Sequence, residues 1–156
     1  MEICAATKGD LEGVRLLYRE LFCRMALLEP AYFQPTDQNQ EFLEKILEHD
    51  LSALLVAKEG EEVLGLVLLT EMHTAPYDCL VPHTYGYLMD LVVESSQRGQ
   101  GIGTQLIRAA RRWSEKRGHA YLELGVLNSN LRAAELYERE GFSPVMTTMR
   151  LPLGQN

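Results

Sequence analysis

Between residues 88 and 116 the chain runs from an apolar stretch through a glycine loop into an amphipathic pattern, and this unit limits the folds open to it. Leu88-Met89-Asp90-Leu91-Val92-Val93 reads as a strand. Gln97-Arg98-Gly99-Gln100-Gly101-Ile102-Gly103-Thr104 places three glycines at alternate positions behind an arginine. Ile102, Leu106, Ala109, Ala110 and Trp113 then keep helical spacing up to Lys116, and Gly118 stops the helix. A helix start presents unpaired N–H groups and the positive end of the dipole, so this loop predicts an anion held close to the backbone.

The rest of the chain supplies layers to either side. Glu2 to Ala6 predicts a short strand. Thr7 predicts a cap, with Asp10 in the first turn of a helix whose apolar stripe is Leu11, Val14, Tyr18, Leu21, Phe22 and Met25. Pro30 and Pro35 break that pattern, and Phe42, Ile46 and Leu47 mark a shorter helix. Ala53 to Lys58 and Val63 to Glu71, joined at Glu59-Gly60-Glu61-Glu62, read as an antiparallel hairpin. His73 to Thr84 is a loop and Tyr85 to Val93 the next strand. Ala120 to Val126 alternates between two faces, Asn130 to Glu140 is an Asn-capped helix closed by Gly141, and Val145 to Leu151 predicts a last strand. This order predicts one α/β domain over residues 1–156, built on a central, mixed, mostly antiparallel sheet flanked by helices.

A net charge of −7 argues against nucleic acid as a partner, because neutralising phosphates needs a basic face. Cys4, Cys23 and Cys79 are odd in number and widely spaced, which predicts neither a disulfide framework nor a metal site and points to a reducing cytoplasm. No apolar run reaches membrane-spanning length, so no membrane association is expected.

Phosphate loops of other kinds fit less well. A P-loop needs Lys-Ser or Lys-Thr after its last glycine, and Gly103 is followed by Thr104-Gln105. A dinucleotide fingerprint needs a third glycine where Thr104 stands, and its acidic ribose partner would fall near Arg117 to Ala120, where there is none.

The pattern from Arg98 to Gly103, with Leu91-Val92-Val93 in front of it, resembles the GNAT acetyltransferases. The second half agrees: Asn130, Ala133 and Tyr137 stand in an Asn-x-x-Ala-x-x-x-Tyr arrangement, followed by Gly141-Phe142. The resemblance is specific from about Tyr87 to Phe142 and topological before that. It implies acetyl-CoA as cosubstrate, no metal, and a splayed strand pair forming the CoA cleft. It implies that the amides of Arg98, Gly99, Gln100, Gly101, Ile102, Gly103 and Thr104 hold the pyrophosphate, where side chains would block the oxygens. Leu91, Val92 and Val93 would pair through backbone with the pantetheine, and the N–H of Leu91 or Val93 would polarise the acetyl carbonyl. Asn130 or Asn128, with Ala133 and Tyr137, completes the implied cofactor contacts. Arg108, Arg111, Arg112, Lys116 and Arg117 either meet the 3′-phosphate or form a solvated helix face.

Tyr137 matches the family's general acid. A phenol is protonated at pH 7, with an unperturbed pKa of about 10 against about 8.5 for a thiol. A base must also take the proton of the attacking ammonium, which has no lone pair. Glu123 is the leading candidate, since its strand's other face carries Leu122 and Leu124, and it matches a glutamate of the ribosomal-protein N-terminal acetyltransferases. Asp90 is its rival, with Glu71 and Glu94 behind. The expected activity is direct transfer of an acetyl group to an amine-bearing acceptor in a ternary complex, and no cysteine falls in either motif. The alternative is an acyl-CoA sensor without transfer. Residues Leu28 to Gln40 and His73 to Tyr85 would shape the acceptor site; Glu29, Tyr32, Asp37, Tyr77, Asp78 and Tyr85 suit a primary ammonium. The loop from His73 is also long enough to order across a homodimer partner.

Overall fold

The apolar runs form one five-stranded sheet in the order β1-β2-β3-β4-β5 in the computed structural model, which describes residues 1–154. The strands are β1 (Glu2–Ala5), β2 (Ser52–Glu59), β3 (Glu62–His73), β4 (Thr84–Val93) and β5 (Leu122–Leu124). The first four pair antiparallel, and β4 and β5 pair parallel. The helices are α1 (Leu11–Leu28), α2 (Gln40–Glu48), α3 (Ile102–Lys116) and α4 (Leu131–Arg139).

Both faces of the sheet are covered, each with its own core. On one face Leu11, Val14, Leu17 and Tyr18 of α1 and Leu43 of α2 pack on Val56, Leu66, Leu68 and Val92. On the other, Ile102, Leu106 and Ala110 of α3 pack on Ala57, Leu64, Val67, Leu69 and Leu88. The layers come close enough that a methyl group on Gly86 would sit 2.6 Å from Ser114 Oγ, so any larger residue on β4 there has to displace the Ser114 side chain. The helix starts are chemically distinct. Asp10, not Thr7, supplies the accepting side chain before α1: its carboxylate takes the Thr7 N–H (2.7 Å) and O–H (2.8 Å) and pairs with Lys58 at 2.5 Å. Asn39 accepts from the Phe42 N–H at 2.9 Å and starts α2.

The chain departs from its sequence pattern in two places. First, β4 contains a bulge. Leu68 pairs with Asp90 and Leu69 with Leu88, so Met89 is an extra residue. Gly86 and Leu88, before it, face α3. After it Val92 packs with the α1 core while Leu91 and Val93 pack with the α3 core. Without the bulge, Asp90 would share the α3 side with Leu88. Second, the predicted strand Val145 to Leu151 does not form. Among the described residues no backbone hydrogen bond ties positions 143–153 to the sheet, and Val145, Met146, Met149, Leu151 and Leu153 are each at least 80% exposed. The alternation that marks β5 also shrinks from Ala120–Val126 to three paired residues, because β4 and β5 separate beyond Leu88 and Leu124.

Candidate active site

The separation of β4 from β5 creates the site. Glu94 N–H bonds to Leu64 O on β3 (2.9 Å), so by strand alternation Leu91 and Val93 turn their N–H groups away from β3 into the gap. The loop after β4 is tethered from behind. Arg98 Nε donates to Val93 O (3.0 Å), its guanidinium pairs with Glu20 of α1, and the Ser95 N–H reaches the same Glu20 carboxylate at 3.3 Å. The Arg98 side chain is thus occupied within the protein, and only its backbone remains for a ligand. Glu20 carries no motif signal; an anchoring glutamate on a helix surface reads like any solvated charge.

Gly99 and Gly101 both adopt φ +82°, where side chains are strained, and an added methyl at either would meet nothing within 4 Å. The loop therefore opens onto free space. Gly101 is the N-cap of α3 without a side-chain cap, and the first bond of the helix runs from Gln105 N–H to Gly101 O at 3.1 Å. The amides of Ile102, Gly103 and Thr104 thus have no helical acceptor and aim at that space. Gln100 is tied to Gln97 by its side-chain amide at 3.0 Å. The CoA pyrophosphate fits this cradle: open volume in front of positive-φ glycines, and donors with nothing to bond. Asn130 caps α4 through the Ala133 N–H at 3.4 Å, while Asn128 is exposed on the turn before it. Of the α3 cations, Arg108 and Arg111 are engaged by Glu140, and Arg117 lies over the Trp113 ring at 5.0 Å.

The bulge brings Asp90 under α1, where the fully buried Tyr18 donates its O–H to Asp90 Oδ2 at 2.9 Å. Burial pushes the Asp90 carboxyl above the usual carboxylate range, and the Tyr18 bond pulls it back part of the way. Tyr137, on α4, is half-buried and packs edge-on against Phe142, with ring centroids 5.7 Å apart. Desolvation, with the negative charge of Asp90 behind it, pushes its phenol up to about 12. Tyr137 and Asp90 therefore sense each other across the gap. The sequence stripe marked Tyr18 as core but gave no sign that its polar end reaches a carboxylate 72 positions away.

Glu123 pairs in register with Tyr87 on the same face as Asp90, opposite Leu122 and Leu124, and is half-buried. Beside it, Tyr85 stacks on Tyr121 at 5.1 Å, and His83 closes the cluster with a 2.8 Å bond to the Tyr121 hydroxyl. Glu71 lies elsewhere, in a chain from Ser114 through the buried His119, whose Nε2 is 2.8 Å from the carboxylate. That bond holds the Glu71 carboxyl below its ordinary range. Of the acceptor-loop residues, Asp37 pairs with Arg19 at 2.6 Å, Glu29 accepts from Ser129 at 3.0 Å, and Tyr77 and Asp78 are exposed.

Among the described residues no helix is long and apolar enough to cross a membrane. The sequence matches the acetyltransferase (GNAT) family over residues 17–142. An uncharacterized N-acetyltransferase, YhfO of Bacillus subtilis (strain 168), is 29% identical over 145 residues, covering 91% of this chain and 89% of that protein. A second from the same organism, YobR, is 43% identical over 61 residues, but the match spans 39% of this chain and a quarter (25%) of that longer protein. A mutant of the BH1408 protein from Bacillus halodurans superposes with a TM-score of 0.92 at 26% identity, over 98% of this chain and 99% of that one. The aminoglycoside N-acetyltransferase AAC(6')-Iy, solved in complex with CoA, shares the fold with a TM-score of 0.74 at 21% identity, over 99% of this chain and all (100%) of that one. With the family match spanning most of its length and the glycine loop, splayed strands and α4 tyrosine in place, the chain belongs to the GNAT family of acetyltransferases.

Proposed function

We propose that the protein transfers an acetyl group from acetyl-CoA directly to a primary amine in a ternary complex. The observation that carries this is the convergence of Tyr137 and Asp90 where β4 leaves β5, next to the unpaired amides of the glycine loop. The amides from Arg98 to Thr104 would hold the pyrophosphate, Leu91 to Val93 with Asn128, Asn130 and Ala133 the pantetheine, and the gap-facing N–H of Leu91 or Val93 the carbonyl oxygen.

A carboxylate, Asp90 or Glu123, takes a proton from the ammonium, and the freed lone pair forms the C–N bond. The C–S bond breaks, the thiolate takes the Tyr137 proton, and the nitrogen loses its second proton. With the phenol reprotonated, one proton reaches solvent overall. The acceptor class draws support from the sheet face beside the gap, where Tyr85, Tyr87 and Tyr121 flank Glu123, a surface suited to an ammonium by charge and by cation–π attraction. AAC(6')-Iy, on the same fold, is named for an aminoglycoside amine.

A homodimer is part of this reading. Among the described residues the outer edge of β5 has no strand partner, and it borders an open cleft whose far wall includes Val145 and Met146 of the C-terminal arm. An open edge beside an exposed apolar arm suits exchange with a second copy. Cys4, Cys23 and Cys79 are all free thiols, which suits a reducing cytoplasm.

The test is thiol release from acetyl-CoA with a panel of primary amines. The parent should turn over, and Tyr137→Phe should lose about a hundredfold or more in kcat while still binding CoA. A parent that binds CoA and acetylates nothing would leave the sensor reading standing.

A further inference from the structure

We infer that Tyr18 is a positioning residue for the proton-accepting step, holding Asp90 as the base through its hydroxyl. This rests on the proposed acetyl transfer and adds a residue from the first helix, outside both sequence motifs.

The geometry makes Asp90 the carboxylate best placed to act as a tuned base. The Met89 bulge rotates it out of the α3 core and under α1. Tyr18 occupies one oxygen, Oδ2, at 2.9 Å; among the described residues nothing bonds Oδ1, which is left for the ammonium. A Tyr ring with no exposed surface, packed among Leu11, Val14, Leu17 and Leu43, cannot swing away, so the carboxyl keeps its rotamer.

The surroundings of Asp90 are few and can be named. α1 contributes Tyr18, whose oxygen also meets Gln38 from the segment before α2. α4 contributes Tyr137, β3 the apolar Leu68, and β5 places Glu123 on the same face. Among the described residues no cationic side chain bears on the carboxyl. Two opposed effects are therefore left: desolvation, which favours the protonated form, and the Tyr18 O–H, which favours the carboxylate. Burial drives the Tyr18 phenol far above its ordinary range, so it stays a donor at every working pH. A core phenylalanine would serve packing equally well; the hydroxyl has work only if the ionised carboxylate has to be kept.

Removing the hydroxyl raises the Asp90 titration, so the base is protonated over a wider acid range. In Tyr18→Phe the acid limb of kcat/KM should move up by roughly one pH unit, as expected for losing one hydrogen bond to a charged group. The ratio of wild type to variant should be about tenfold on the acid side and close to one above the limb. In an Asp90→Asn background, Tyr18→Phe should cost nothing further. A rate loss that is uniform across pH, or one that persists in the Asn background, overturns the inference, because it would report packing alone.

A second readout needs no turnover. The 13C carboxyl resonance of Asp90, followed by NMR, should titrate at higher pH in Tyr18→Phe than in the parent; an unmoved midpoint overturns the inference. A parent silent toward every amine but with the midpoint displaced would sink the transfer reading and leave the Tyr18–Asp90 coupling intact.

Discussion

In the proposed mechanism Asp90 carries two opposed demands, since a half-buried, desolvated carboxylate would serve as proton acceptor and weakens the fold that holds it. Its folded titration lies above the ordinary value, chiefly from burial. The folded chain therefore binds that proton more readily than the unfolded chain does. Acidification through this window stabilises the wild type, and the penalty is fully present above the folded pKa. Asp90→Asn removes the charge and leaves an amide oxygen for the Tyr18 hydroxyl. It should raise thermal stability at neutral pH by on the order of 1 kcal/mol, with the gain shrinking toward acid, while transfer activity falls. Unfolding curves across pH check the first half, and a gain that does not vary with pH would refute the titration argument. The same charge acts on Tyr137. Once Asp90 is protonated, part of what keeps the phenol weak is gone, so in the proposed reaction the phenol would become the better acid as the thiolate leaves.

At the level of elements, the strand-loop-helix unit was legible because three glycines at alternate positions have few structural uses. Gly99 and Gly101 do sit at positive φ before open space. Gly101→Ala should strain the loop by about 1–2 kcal/mol and put a methyl group where the pyrophosphate would lie. CoA affinity measured by calorimetry should fall about tenfold or more, with the melting temperature lowered by only a few degrees. Equal affinity would place the phosphate elsewhere. What was not legible has physical reasons. A bulge is one extra residue that pairing geometry absorbs, and Leu88-Met89-Asp90-Leu91 carries no mark of it. Period-two alternation puts Asp90 on the wrong side of the sheet, so its link to Tyr18 could not be read. The strand predicted over Val145 to Leu151 failed for another reason: its residues suit a strand, but among the described residues nothing pairs with them.

At the scale of the whole molecule, that arm borders the open cleft, with the Arg150 guanidinium 4.1 Å over the Tyr32 ring. The exposed Val145, Met146, Met149, Leu151 and Leu153, beside a β5 edge with no strand partner among the described residues, would be covered by a second copy in the proposed dimer. Light scattering after size exclusion should give twice the chain mass for the parent and the monomer mass for a Val145→Asp, Met149→Asp double variant; a parent that stays monomeric at high concentration would exclude the dimer. The other long-range feature is α1. Within three consecutive residues it places Tyr18 on Asp90 and Glu20 on both Arg98 and the Ser95 amide. The two ends of the site, where a proton would leave and where a phosphate would rest, are thus mounted on one rigid bar. Alignment errors in such an instrument are correlated. A change that tilts α1 detunes both ends together, and no adjustment in the sheet corrects one without the other.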